Sequence, residues 1–99
     1  MNIIYSNRLD SRRGDEEHLS ELVIEGNKIH LIRVKLINGS LRSRRKLEVT
    51  KAQALLLTKR YYIEQLIEYS ERGLLRSPKY KMKLQALYMR AMDIEKVEA

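Results

Sequence analysis

Between residues 19 and 49 three runs of seven to ten residues are set off by glycine-containing turn pairs, and from residue 50 onward the apolar positions recur every three or four. The first pattern is that of strands and the second that of helices. Two turn signals divide the strand region. Asn38-Gly39 is the favoured central pair of a type I′ hairpin turn, which needs positive φ at both positions, and Gly26-Asn27 suits a type II′ turn. Between them "KIHLIRVKLI" is rich in β-branched residues, as strands are. The pattern predicts an antiparallel β-meander with strands at about 19–25, 28–37 and 40–49. Residues 2–5, "NIIY", predict a fourth strand at the sheet edge, whereas 6–18 carry charge without period and predict a polar loop.

Thr50 with Gln53 three residues later is a capping-box signature, and Gly73 is placed to end the helix it opens. Along that helix Ala52, Leu55, Leu56, Tyr62, Ile63, Leu66, Ile67 and Leu74 predict the buried face. Ser77 and Pro78 open a second helix, with Tyr80, Leu84, Leu87, Tyr88, Ala91 and Ile94 as its buried stripe. The short link Leu74-Leu75-Arg76 makes the two helices antiparallel neighbours. Folding back brings Glu64, Glu68 and Glu71 beside Lys79, Lys81 and Lys83, each set being at the wrong end of its own helix dipole, so complementary pairing across the hairpin is expected. The expectation is an α+β fold in a single domain over 1–99: edge strand and polar loop to 18, meander 19–49, helical hairpin 50–97.

A chain of 99 residues with 43% apolar content builds one modest core. Cysteine is absent, so disulfides and thiolate chemistry are excluded. The N-terminus lacks the long apolar run of a secretory signal, and no apolar stretch approaches the roughly 18 residues of a membrane span. A soluble cytoplasmic or nucleoid-associated protein with no membrane partner is expected.

Charge is unevenly distributed along the chain. The net charge is +7, and it lies in one window: residues 28–51 hold Lys28, Arg33, Lys35, Arg42, Arg44, Arg45, Lys46 and Lys51 against Glu48 alone. The remainder of the chain carries twelve charges of each sign. A surplus so concentrated makes a local positive potential that attracts phosphate or an acidic surface. With a two-residue turn at Asn38-Gly39, Lys35 faces Arg42 and Arg33 faces Arg44. Directly opposed like charges destabilise an antiparallel pair, and a polyanion would remove the repulsion. Arg33, Lys35, Arg42, Arg44 and Lys46 then form an outward row with Arg45 and Lys51 at its margin, and Lys59-Arg60 extend it if they face the same way. The structural alternative is a set of solvated side chains, with Arg45 lying over core leucines. One irregularity stands in the pattern: Leu22, Ile24, Ile29 and Leu31 fall on the same side as Arg33 and Lys35. A bulge near Leu31-Ile32, or a hairpin end projecting past the body, would account for it.

Catalytic groupings are thin. His18 and His30 have none of the usual zinc spacings. Asp15-Glu16-Glu17 are consecutive carboxylates of the kind that loops expose to water. Glu25-Gly26-Asn27-Lys28 sits in a turn and is one residue too long for the acid-x-lysine of a nuclease strand. The four glycines are isolated, so no phosphate-cradling glycine-rich loop exists. The expectation is a protein that is not an enzyme and uses no metal or cofactor.

For a binding protein, the absence of Phe and Trp and the placement of five of six tyrosines in the helices disfavour base-stacking single-strand readers. A two- or three-stranded sheet fits the major groove of duplex DNA, which is favoured over RNA. In architecture, a three-stranded meander followed by a helix resembles the DNA-binding domains of certain phage integrases and plant transcription factors, a resemblance that implies a sheet laid in that groove. The competing class is a small protein-binding inhibitor or adaptor, of the kind mobile elements encode, acting through the basic face or the helices. Ala54, Leu57 and Tyr61 lie off the main stripe of the first helix at i, i+3, i+7. They are either a contact strip for a homodimer or other protein partner or the part of the helix buried under the chain's own sheet.

Overall fold

A computed structural model describes residues 2–10 and 15–97. Strands β1 (Asn2–Asp10), β2 (Glu16–Glu25), β3 (Lys28–Ile37) and β4 (Ser40–Val49) precede helices α1 (Lys51–Glu71) and α2 (Pro78–Glu95). The strands form one antiparallel sheet in the order β1-β2-β3-β4. This is the α+β fold expected, with the fourth strand N-terminal. The turns follow the residues that demand them: Asn38 and Gly39 have φ of 52° and 79°, and Gly26 has 63°, as I′ and II′ hairpins require. Both edges of the first hairpin are longer than the pattern predicts. Residues 6–10 and 16–18, expected in a loop, continue β1 and β2, while 11–14 of that segment lie outside the described residues. Pairing to a neighbour supplies the backbone hydrogen bonds there, and Arg8 and Glu17 form an ion pair across it, so hydrophobic alternation is not needed.

Two bulges set which face each side chain takes. In β1 the register shifts between Ile3 and Tyr5, leaving Ile4 as the extra residue, fully buried. In β4 Leu36 pairs with Leu41 but Lys35 pairs with Ser43, so Arg42 is extra. Of the two explanations the sequence pattern allows, a bulge near Leu31-Ile32 or a projecting hairpin end, neither holds as stated: a bulge occurs, but in β4 next to the turn.

The helices cover one end of one sheet face. Tyr5, Leu22, Ile29 and Leu31 pack with Ala54 of α1, Leu87 and Ile94 of α2, and Val97 just beyond it. The capping box at Thr50 and Gln53 is formed in both directions, at 3.1 and 2.9 Å. A Schellman arrangement closes α1 at Gly73 (φ 69°), with Leu74 N–H donating to the carbonyl of Tyr69 and Gly73 N–H to that of Ser70. Pro78 starts α2 at its first turn, but the Ser77 side chain makes no capping bond.

The face of α1 is a correction. Ala54 and Thr58 are its only buried residues among those described, and Leu57 and Tyr61 pack against the same core. Of the two roles expected for the strip Ala54, Leu57, Tyr61, it therefore takes the second and faces this chain's own sheet. Leu56, Ile63, Leu66 and Ile67, expected inside, are exposed. α1 carries apolar residues nearly all round, so spacing alone does not choose its buried face, and the two residues fully enclosed, Ala54 and Thr58, are small ones. Thr58 satisfies its hydroxyl locally by donating to the carbonyl of Ala54 at 2.8 Å. In α2 the buried stripe is Leu84, Leu87 and Ile94, whereas Tyr88 lies 65% exposed. The expected glutamate–lysine pairs across the hairpin do not form among the described residues. Tyr69 and Tyr80 meet edge to face at 4.9 Å, the amines of Lys79 and Lys83 lie over the Tyr80 ring, and Glu68 pairs with Arg72.

Candidate nucleic-acid interface

The bulge at Arg42 divides the basic window. Beyond it, Arg33 stands opposite Arg45, Val34 opposite Arg44 and Ile32 opposite Lys46. Side chains alternate across a sheet, so Arg33, Lys35 and Arg45 share the helix-bearing face and Arg44 and Lys46 take the other. The continuous outward row expected from an unbroken register is not formed, because one extra residue moves every later side chain of β4 to the opposite face. One like-charge pair remains, Arg33 with Arg45, instead of two.

Three of the seven cations have partners within the chain. Lys35 Nζ lies 2.9 Å from Glu16 Oε1, which also contacts His18 Nε2 at 3.1 Å. The hydrogen bond from Lys35 holds the Glu16 carboxyl below the usual carboxylate range. Lys46 reaches across β3 to Glu25 at 3.0 Å and lowers that carboxyl in the same way. Lys51 Nζ donates to the carbonyl of Glu95 at 2.9 Å, satisfying the C-terminal turn of α2. Arg33, Arg42, Arg44 and Arg45 are exposed and make no ion pair among the described residues. β4 is one of the two edges of the sheet, where cations also deter the addition of a foreign strand.

On the helix-bearing face, where the sheet runs on past the helices, a cleft of about 580 Å³ opens between the sheet and α1. Arg33, Lys35 and Arg45 line one wall and Arg60 and Glu64 the other, with His18, Ser20 and Ser43 between. Of the pair Lys59-Arg60, Arg60 joins the cleft. Its floor holds Tyr5 and Tyr61, stacked with ring centroids 4.5 Å apart. Burial raises the Tyr5 phenol above its ordinary value, and the nearby Arg33 guanidinium works against that rise. Burial likewise raises Tyr61. Neither ring is poised to give up a proton, so both act here as neutral donors or acceptors.

The cleft places His18, Tyr5 and Arg60 beside Arg33 and Arg45, an association that the strand pattern does not carry because 6–18 lack period. The opposition of His18 to Lys35 follows once β2 is known to begin at Glu16. Among the described residues no three His, Asp or Glu side chains are grouped to hold a metal ion, and Glu16 and Glu17 are engaged by Lys35 and Arg8. No helix among the described residues is long and apolar enough to cross a membrane. Compared against protein families, curated proteins and solved structures, the chain finds no match in any of the three.

Proposed function

We propose that this chain is a non-catalytic nucleic-acid-binding protein that takes phosphate groups into the cleft and along β4. The observation that carries the reading is the group Arg33, Arg45 and Arg60 around one cleft, none with an ion-pair partner among the described residues. Two guanidiniums opposed across strands cost stability unless an anion lies between them. The planar guanidinium fork also suits phosphate better than an ammonium does. The split of the basic window fits a duplex entered edge first. A sheet about 10 Å thick with its side chains matches a major groove about 12 Å wide. Arg33, Arg45 and Arg60 would then meet one phosphate wall and Arg44 the other, with Arg42 near the tip.

The test is fluorescence anisotropy with labelled duplex DNA, duplex RNA and single-stranded DNA across a salt series. Four to five unpaired arginines give an expected slope of log K against log salt of about −4 for duplex DNA. Changing Arg33 and Arg45 to Ala together should flatten it by about 2. A wild-type titration independent of salt rejects the reading. A protein-binding regulator is the second reading, favoured by the exposed apolar face of the helices.

A further inference from the structure

Eight of the large exposed apolar side chains lie on the two helices: Leu56, Ile63, Leu66 and Ile67 on α1, and Met82, Tyr88, Met89 and Met92 on α2. Leu56, Ile63 and Ile67 are placed at helical spacing opposite Ala54 and Thr58, the residues α1 buries. Met82 and Met89 stand likewise opposite Leu84, Leu87 and Ile94. Both helices thus present large apolar residues on the side away from the sheet as well as toward it. A monomer that leaves such a face open is exceptional, and methionines give it a surface that adapts to what it meets.

We propose that this face is a homodimer interface in which two copies pack helix layer on helix layer about a two-fold axis, α1 running antiparallel to α1 of the second copy. Area is the first argument. Helices of 21 and 18 residues are about 30 Å long, and side by side they are about 20 Å wide. Two such layers bury on the order of 1,200 Å², where specific interfaces begin. Charge is the second. The first half of α1 carries Lys51, Lys59 and Arg60 with no acid, and the second half Glu64, Glu68 and Glu71 with no base. That order opposes α1's own dipole, and α2 relieves it only at Lys51, whose amine donates to the Glu95 carbonyl; no α1 glutamate pairs with an α2 lysine among the described residues. A segregation reversing near residue 62 is self-complementary under a two-fold axis: laid antiparallel, the basic half of each copy lies beside the acidic half of the other. An unrelated partner would need no such symmetry in this chain.

Light scattering coupled to size exclusion tests it. Wild type should elute at twice the 11.7 kDa of one chain, and Leu56→Glu with Ile63→Glu should elute as one chain with unchanged circular dichroism. Two charge variants give a readout independent of the apolar changes. Lys59→Glu with Arg60→Glu, and Glu64→Lys with Glu71→Lys, should each self-associate at least tenfold more weakly than wild type, and mixed they should form a heterodimer. Monomeric wild type, a dimer indifferent to the Leu56 and Ile63 changes, or variants that fail to pair when mixed would each overturn the proposal.

Discussion

Glu16 shapes the cleft from its rim. It accepts from Lys35 and contacts His18, so a cation that could meet phosphate is occupied and a negative charge stands beside the entrance. Glu16→Gln removes both restraints, and anisotropy should show severalfold tighter binding to duplex DNA, with a steeper salt slope. The same pairs set an acid dependence. A carboxylate held below its unfolded value of 4.5, as Glu16 and Glu25 are, adds stability that is fully present above that value. The contribution fades as the pH falls through the lowered one. Urea midpoints should therefore decline on acidification below the usual carboxylate range, and Glu16→Gln with Glu25→Gln should make the decline shallower. Both carboxyls are partly exposed, so solvent screens the pairs and the effect is small, read as a difference between variant and wild type.

In α1 the contrast between size and burial governs stability. Leu56 is 61% exposed and Leu22 fully buried, so Leu22→Ala should cost about 2–5 kcal/mol. Leu56→Ala should cost no more than about 0.5 in the isolated chain, and a larger loss at high protein concentration would report association. Ala54→Leu forces a bulky residue between helix and sheet and should cost about 1–3 kcal/mol by chemical denaturation.

This is also where sequence legibility changes. Strands β3 and β4, both tight turns and the ends of α1 follow from short-range chemistry, namely β-branching, positive φ at Asn38 and Gly39, and the Thr50–Gln53 box. The buried face of α1 does not, because apolar residues surround the helix and periodicity offers no choice among them. Tertiary packing chooses Ala54 and Thr58. The basic row fails for a different reason: nothing in "SLRSRRKLEV" marks Arg42 as the residue without a partner, and that one position reassigns every cation after it.

Over the whole molecule, most of the large exposed apolar residues lie on the helices, away from the sheet wall of the cleft, although Leu41 and Leu47 are exposed on β4. The cleft and the β4 edge carry Arg33, Arg42, Arg44, Arg45 and Arg60, which make no ion pair among the described residues, while the outer helix face carries exposed leucine, isoleucine and methionine. If two copies join through the helices, Arg60 and Glu64 of the α1 wall border the joint, while Arg33 and Arg45 on the sheet wall of each cleft stay clear of it. Binding to a long duplex then becomes bivalent, and the joined pair gains from effective concentration. Leu56→Glu with Ile63→Glu should weaken binding to long DNA at least tenfold by mobility shift, yet leave a duplex that spans a single cleft nearly unaffected.

Arg42 has a dispensable place in the ladder. Leu41 already pairs with Leu36, and Ser43 with Lys35. Excising this one amino acid would bring those rungs together without changing any other pairing, and each surviving cation would keep its present side. What would vanish is the local coil that a bulge adds to a ribbon. A shortened chain set beside Arg42→Ala thus separates curvature from charge, since both lack the same guanidinium and only one has a straightened arm.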